Sequence, residues 1–354
     1  MTPRFHSLRI AEVRRETPDC ISVAFEVPAA LAEEFRYAPG QHLSLRAVLD
    51  GEELRRSYSI CSGLDDGELR VAIKKVGGGR FSSWANEALR PGQRIDVMTP
   101  DGRFTVPIDP AHAKHYIAFA AGSGITPILS LANTLLAREP QSRFTLVYGN
   151  RRAAGTMFVE ELAALKNRHL TRFMLLPVFS REEQEVDLFN GRIDATKVRR
   201  ILAELVSPQH IDEAFVCGPA SMLDEVEQEL ARSGVPSARV HVERFGTPGA
   251  ATGVAAAPDA ADARLTILID GVRREVEFHR HHGSVLEAGR AAGLDLPYSC
   301  KGGMCCTCRA KLLDGEVKMH RNFALEKADL EAGFVLTCQS YPLTERVLLS
   351  FDER

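Results

Sequence analysis

Three successive hydrophobicity patterns predict a multidomain chain: an antiparallel β-barrel, a doubly wound α/β domain on a parallel sheet, and a small cysteine-centred domain. The first hundred residues alternate short apolar runs with Pro-Gly and Asp-Gly turns, the pattern of antiparallel strands. From about Asp109 strand-like and helix-like segments alternate, as a parallel sheet with covering helices requires. Near the C-terminus Cys300, Cys305 and Cys308 share one glycine-rich loop, and Cys338 follows further on. At 354 residues, 45% of them hydrophobic, the chain is long enough for three cores.

The barrel is expected over residues 1–108, with strands at 8–13, 21–27, 42–48, 69–76 and 95–98. Pro39-Gly40, Asp50-Gly51, Asp66-Gly67, Pro91-Gly92 and Asp101-Gly102 supply its turns. Within it lies Arg55-Arg56-Ser57-Tyr58-Ser59-Ile60. Arg56 can neutralise a phosphate, Tyr58 offers an aromatic face to a flat ring, and Ser59 supplies a hydroxyl. The same tetrapeptide also reads as an ordinary strand with outward Arg and Ser and an inward Tyr. Further on, Lys75 precedes Gly77-Gly78-Gly79-Arg80-Phe81-Ser82, a glycine-rich turn leading into a helix that Ser82 opens. Backbone N–H groups at a helix start suit a diphosphate, which makes Lys75, Gly79, Phe81 and Ser82 candidates; a hairpin tip is the plainer reading.

The α/β domain is expected over 109–245, with strands at 115–121, 144–148, 171–178 and 214–217 and helices at 127–137, 157–166 and 221–232. Ala121-Gly122-Ser123-Gly124-Ile125-Thr126-Pro127 joins its first strand to its first helix, where a dinucleotide pyrophosphate sits in such folds. Gly122, Gly124 and Thr126 are the candidates, although the third glycine of G-x-G-x-x-G is missing. The next strand ends in Gly149-Asn150-Arg151-Arg152, without the acid that would bind a ribose 2′-hydroxyl. Arg151 and Arg181 can pair with a phosphate unless they are simply solvated; Val178-Phe179-Ser180-Arg181 resembles the S-R pair that holds the 2′-phosphate in the ferredoxin–NADP reductase superfamily, which implies NADPH. Cys217-Gly218-Pro219 ends a later strand, and Cys217 by itself could be a small buried hydrophobe. Residues 246–263 are small and turn-forming, and read as a linker to a domain at 264–354.

Cys300, Cys305, Cys308 and Cys338 give C-x4-C-x2-C…C, the spacing of a plant-type [2Fe–2S] site. A structural zinc site or unpaired buried thiols are the alternatives, but zinc favours paired C-x2-4-C knuckles. A register through Cys306 fits no such cluster, so Cys306 is expected not to be a ligand. Gly302 and Gly303 are expected at positive φ, letting backbone N–H groups approach the sulfurs.

These segments together resemble a family. Arg56-Ser57-Tyr58-Ser59 is similar to the R-x-Y-[ST] signature of the ferredoxin–NADP reductase superfamily, and Gly122 to Pro127 to its G-x-G-[IV]-[AT]-P loop. Cys217-Gly218-Pro219 with Met222 resembles its C-G-P-x-x-M, and His241-Val242-Glu243-Arg244-Phe245 its H-V-E-x-Y terminus. Leu296-Pro297-Tyr298-Ser299 and Leu336-Thr337-Cys338-Gln339 resemble the flanks of plant-type ferredoxin cysteines, implying an α+β ferredoxin-like β-grasp. The resemblance implies FAD against Tyr58, with Ser59 near its reactive nitrogen and its diphosphate at the Gly79–Ser82 turn; some relatives with a C-terminal ferredoxin use FMN. It implies Ser59, Cys217 and Glu243 as the hydride-transfer set, Gly218 beside the nicotinamide, and Phe245 covering the flavin. The order of domains resembles class IA-like oxygenase reductases, and most closely those of multicomponent di-iron monooxygenases in phenylacetate catabolism. The implied route runs from NADPH through FAD and a [2Fe–2S] cluster to an oxygenase component. Another oxygenase, a hybrid-cluster protein or a redox-sensing role stand as alternatives.

A formal charge of −3 gives no footprint for nucleic acid or anionic membranes. The longest apolar stretch, 116–137, is broken by Gly122-Ser123-Gly124 and Pro127, so no membrane span is expected. The N-terminus lacks an apolar signal region, and eight cysteines at these spacings fit a reducing cytoplasm.

Overall fold

The computed structural model describes residues 4–245, 257 and 259–353. The first sheet contains β1 (Phe5–Thr17), β2 (Cys20–Glu26), β3 (His42–Leu49), β4 (Glu52–Ser59), β5 (Leu69–Lys74) and β6 (Arg94–Met98) in the order β4-β3-β6-β1-β2-β5. All its pairings are antiparallel, and a bridge from Ile60 to Val71 joins the two edge strands into a barrel. Period-two alternation turns Leu8, Ile10, Val23, Leu43, Leu45, Val71 and Val97 inward. Helix α1 (Arg80–Ala88) starts two residues before Ser82 and packs Phe81 and Ala85 into the same core.

The second sheet is wholly parallel: β7 (His115–Ala121), β8 (Arg143–Asn150), β9 (Phe173–Phe179), β10 (Glu213–Gly218) and β11 (Val240–Arg244), ordered β11-β10-β7-β8-β9. Helices α2 (Ile125–Arg138), α3 (Val159–Arg168), α4 (Ala195–Glu204) and α5 (Ala220–Arg232) accompany it, with a hydrophobic cluster on each side. Helix α4 was not among the expected elements. It packs Val198, Ile201 and Leu202 inward at helical spacing and is capped by the Asp194 side chain, which accepts from the Lys197 N–H. Strand order reverses between β7 and β10, which opens a crevice at their carboxyl ends.

The third unit has a five-stranded sheet and a short ribbon built from β12 (Ala263–Ile269), β13 (Val272–Phe278), β14 (Arg309–Asp314), β15 (Val317–Met319), β16 (Phe334–Leu336), β17 (Ser340–Pro342) and β18 (Arg346–Ser350). Its main order is β13-β12-β18-β14-β16, with β12 and β18 parallel and α6 (Val285–Ala291) packed into the same core. A short helix α7 (Lys327–Glu331) precedes β16. Most of the stretch read as a linker lies outside the described residues. Its described end is not free coil: Ala257 and Ala260 are buried in this unit's core, and Asp259 bonds Lys318 and Tyr341 at 2.8 and 3.0 Å. Composition alone did not show that this end packs into the core.

Candidate functional site

A cavity of about 370 Å³ opens where the three units meet. The barrel contributes Arg56, Tyr58, Ser59, Gly79, Phe81 and Ser82, the parallel domain Thr126, Glu243 and Phe245, and the cysteine loop Cys300 and Cys305. Tyr58 and Phe81 lie 5.9 Å apart between ring centroids, and Phe81 meets Trp84 edge-on at 5.4 Å. This is an aromatic wall of the kind a flat ring system packs on. A Cβ at Gly79 would stand 2.6 Å from Ser82 Oγ and 3.0 Å from Val76 O, so a side chain there would have to displace Ser82 Oγ from the turn. Ser82 Oγ accepts from Val76 N and donates to Gly79 O, each at 3.1 Å, so it fastens the turn.

Ser59 Oγ donates to Glu243 Oε2 at 3.3 Å, joining the barrel to β11. Burial pushes the Glu243 carboxyl up to about 8, with the Ser59 hydrogen bond opposing. His42 pairs with Ser59 in the strand register and lines the cavity, and its Nε2 is buried without a hydrogen-bond partner among the described residues. Orphaned polar atoms in a cavity are what a bound ligand satisfies. Neither His42 nor Lys74, another lining residue, was anticipated. Lys75, which was, lies outside the lining and pairs with Glu87 at 2.9 Å, because neighbours on a strand face opposite ways.

At the crevice between β7 and β10, Gly122 has φ +55°, and a Cβ at Gly124 would lie 2.1 Å from Cys217 O. A Cβ at Gly218 would meet Met222 Cε at 2.6 Å. Cys217 is fully buried between Ala120 and Glu243 in the register, and burial holds its thiol well above the ordinary range. Arg151 and Arg181 are exposed at the ends of β8 and β9, tied by Arg181 N donating to Arg151 O at 2.9 Å, with Ser180 N bonded to Asn150 O at 3.0 Å. Neither guanidinium has an ion pair among the described residues, and neither lines the cavity.

The four cysteines meet as two touching pairs, Cys300 with Cys305 and Cys308 with Cys338. Among the described residues no three His, Cys, Asp or Glu side chains close on a single ion. Two thiol pairs suit a binuclear cluster with two thiolates per iron better than one tetrahedral zinc. The Cys305 thiol, then the N–H groups of Gly302 and Met304, hydrogen-bond Cys300 and bring its thiol down to about 7. The Gly302 contact is 3.3 Å. Gly303 has φ +77°, but Gly302 does not share it; Lys301 (φ +51°) and Cys306 (φ +57°) take the left-handed positions instead. That twist turns the Cys306 thiol to Ala324 O at 3.4 Å. Beside the loop, Ser57 Oγ donates to Ser299 Oγ at 2.8 Å, one residue from Tyr58 and one from Cys300.

Residues 7–106 match the oxidoreductase FAD-binding domain family, 119–228 the oxidoreductase NAD-binding domain family, and 267–343 the 2Fe-2S iron-sulfur cluster binding domain family. The chain is 45% identical to a subunit of the 1,2-phenylacetyl-CoA epoxidase of Escherichia coli K12, over 99% of this chain and 98% of that protein. It belongs to the ferredoxin–NADP reductase superfamily, in the branch with a C-terminal plant-type ferredoxin domain. The reductase is also 34% identical to the ferredoxin reductase component of 3-ketosteroid-9-alpha-monooxygenase from Rhodococcus rhodochrous, over 97% and 96% of the two chains. The solved phthalate dioxygenase reductase superposes with a TM-score of 0.58 at 25% identity, covering 98% of each chain. The reductase is thus an oxidoreductase of the oxygenase-reductase type, with FAD, NAD(P) and [2Fe–2S] domains. No helix among the described residues is long and apolar enough to cross a membrane.

Proposed function

We propose that the reductase oxidises NADPH and passes the electrons through FAD and the [2Fe–2S] cluster to the di-iron oxygenase component of a phenylacetyl-CoA epoxidase, in the cytoplasm. The observation that carries this reading is the shared cavity, where Ser59 and Glu243 stand with Cys300 and Cys305. The near full-length likeness to the phenylacetyl-CoA epoxidase protein, at 45% identity, favours it over the ketosteroid system, where identity is 34%. In this reading the domains divide at 108/109 and within 246–263, whose described end belongs to the third unit.

FAD supplies acceptance of a hydride and release of single electrons. Arg56 neutralises its phosphate, the α1 N-terminus at Gly79–Ser82 receives the diphosphate, and Tyr58 walls the ring. Gly122, Gly124, Thr126 and Gly218 let the nicotinamide nucleotide approach the backbone, while Arg151, Ser180 and Arg181 hold the 2′-phosphate. Glu243 stays protonated up to about pH 8, so it can itself donate and free the Ser59 hydroxyl to donate to the group beside it. Cys217 keeps its proton and gives the crevice a neutral floor. Phe245, 37% exposed, caps the mouth against water. Cys300, Cys305, Cys308 and Cys338 hold the cluster.

The test is reconstitution. With ferricyanide, NADPH should be consumed with a higher kcat/KM than NADH, and NADPH-driven epoxidation should appear when the purified epoxidase component is added. Preference for NADH would remove the coenzyme assignment. Coupling to a different oxygenase but not to this one would remove the partner.

A further inference from the structure

Strand β4 serves two neighbours at once. Leu54 enters the barrel core, and Arg56 and Tyr58 line the cavity. The alternate residues Glu53, Arg55 and Ser57 all reach the cluster domain. Arg55 is almost fully buried, yet nothing in the flavin or nicotinamide chemistry uses it. Its Nη2 donates to Asp295 Oδ1 at 3.1 Å, its Nη1 to Leu296 O at 3.4 Å, and its Nε to Glu53 Oε1 at 2.9 Å. The guanidinium carbon sits 4.0 Å over the Tyr298 ring and 4.8 Å from the Phe5 ring centre. Tyr298 Oη donates to the same Glu53 oxygen at 3.2 Å, and Ser57 bonds Ser299. Every one of these contacts with the cluster domain falls on residues 295–299, immediately before Cys300. A second ion pair, Arg103 to the buried Asp329, joins the two domains elsewhere; Asp329 is also held by Arg309 at 3.0 Å.

We propose that Arg55 is a positioning residue for internal electron transfer: it docks residues 295–299 onto β4, so that the cluster loop faces the cavity occupied by the flavin. A buried guanidinium with a carboxylate on each side and an aromatic face beneath it is orientationally specific in a way that a loose surface pair is not. Because the cavity-lining residues and the residues that hold 295–299 lie on one strand, that strand's backbone links the flavin cavity to the cluster loop. The inference rests on the functional reading for what the dock serves. A hydride brings two electrons and a proton to the flavin. One electron then reduces one ferric ion of the cluster to ferrous, the second follows once the external acceptor has emptied the cluster, and the proton leaves to solvent. The rate of that internal step depends steeply on the distance the dock maintains.

The experiment uses the fully loaded protein and the exposed partner, Asp295→Arg, which sets two cations against each other without touching the flavin side. In single-turnover stopped flow, flavin bleaching by NADPH should stay within about twofold of wild type, and the later cluster-reduction phase, followed by absorbance and freeze-quench EPR, should slow at least tenfold. Amide hydrogen exchange at 296–301 in the resting, oxidised protein should rise at least tenfold. The conservative variant Asp295→Glu, which leaves Arg55 a carboxylate partner on that side, should keep both readouts near wild type. Exchange that rises while cluster reduction keeps its rate would make Arg55 merely structural and overturn the proposal. Unchanged exchange and rate in both Asp295→Arg and Arg55→Met would show that the dock does not form. If the wild-type flavin failed to bleach with a nicotinamide nucleotide, the functional reading would fall instead, and hydrogen exchange would still decide whether Arg55 docks the loop.

Discussion

At Cys300 the thiol receives a hydrogen bond from Cys305 and backbone N–H groups from its own loop, and its pKa falls to about 7. At Cys217 the thiol is enclosed by apolar neighbours with Glu243 alongside, and its pKa rises well above the ordinary range. In the cysteine loop the shift divides within a touching pair, Cys300 going down while Cys305 goes well up, whereas at Cys217 burial keeps the single thiol neutral. Hydrogen bonds donated to a thiolate lower its pKa, whereas enclosure away from water raises it. Local donors achieve the first, and tertiary burial achieves the second.

The sharpest way to break this contrast is to exchange the cysteines for serine. Cys305→Ser or Cys338→Ser should abolish the [2Fe–2S] visible and EPR signals completely, while Cys306→Ser and Cys217→Ser leave them intact. Equal loss in the Cys306 variant would put the cluster in another register.

On the neutral side, Arg181→Ala should raise the KM for NADPH roughly 10–100-fold while changing that for NADH little, since a charge-assisted phosphate bond is worth roughly 1.5–3 kcal/mol. A parallel rise for both nucleotides would mean that Arg181 does not read the phosphate. Gly124→Ala tests how tightly the crevice is closed. The new methyl would collide with Cys217 O, so unfolding stability should drop by about 1–3 kcal/mol, measured by urea titration, together with weaker nucleotide binding. Wild-type stability in this variant would mean that the loop gives way freely.

The last test concerns Glu243. Its folded pKa of about 8 lies above the ordinary 4.5, so its contribution is fully present below about pH 4.5 and is lost as pH rises towards 8. In flavin-free protein, Glu243→Gln should therefore match wild type near pH 4.5 and melt higher at pH 8.5, by about 2–4 °C for each kcal/mol released. A gap that narrows as pH rises would contradict a raised pKa at Glu243.

Much of this was readable residue by residue. The cysteine spacing, the glycine turns at 77–79 and 122–124, and the alternation of strands and helices depend on contacts within a few positions, so the chain states them directly. Helix α4 was readable too, from Asp194 and the spacing of Val198, Ile201 and Leu202, but its charged composition hid it. The choice of Lys74 over Lys75 depended on strand phase, which a one-residue uncertainty in register reverses. That Gly302 leaves the left-handed region to Lys301 and Cys306 was decided by how the loop wraps its thiols. His42 became part of the cavity only because β3 lays it beside Ser59, and Arg55 met Tyr298, 243 positions along, only when the third domain closed on the first. Local chemistry is written in short spacings, whereas a buried carboxyl, an orphaned imidazole or a domain dock exists only after chain closure brings distant segments within a few ångströms.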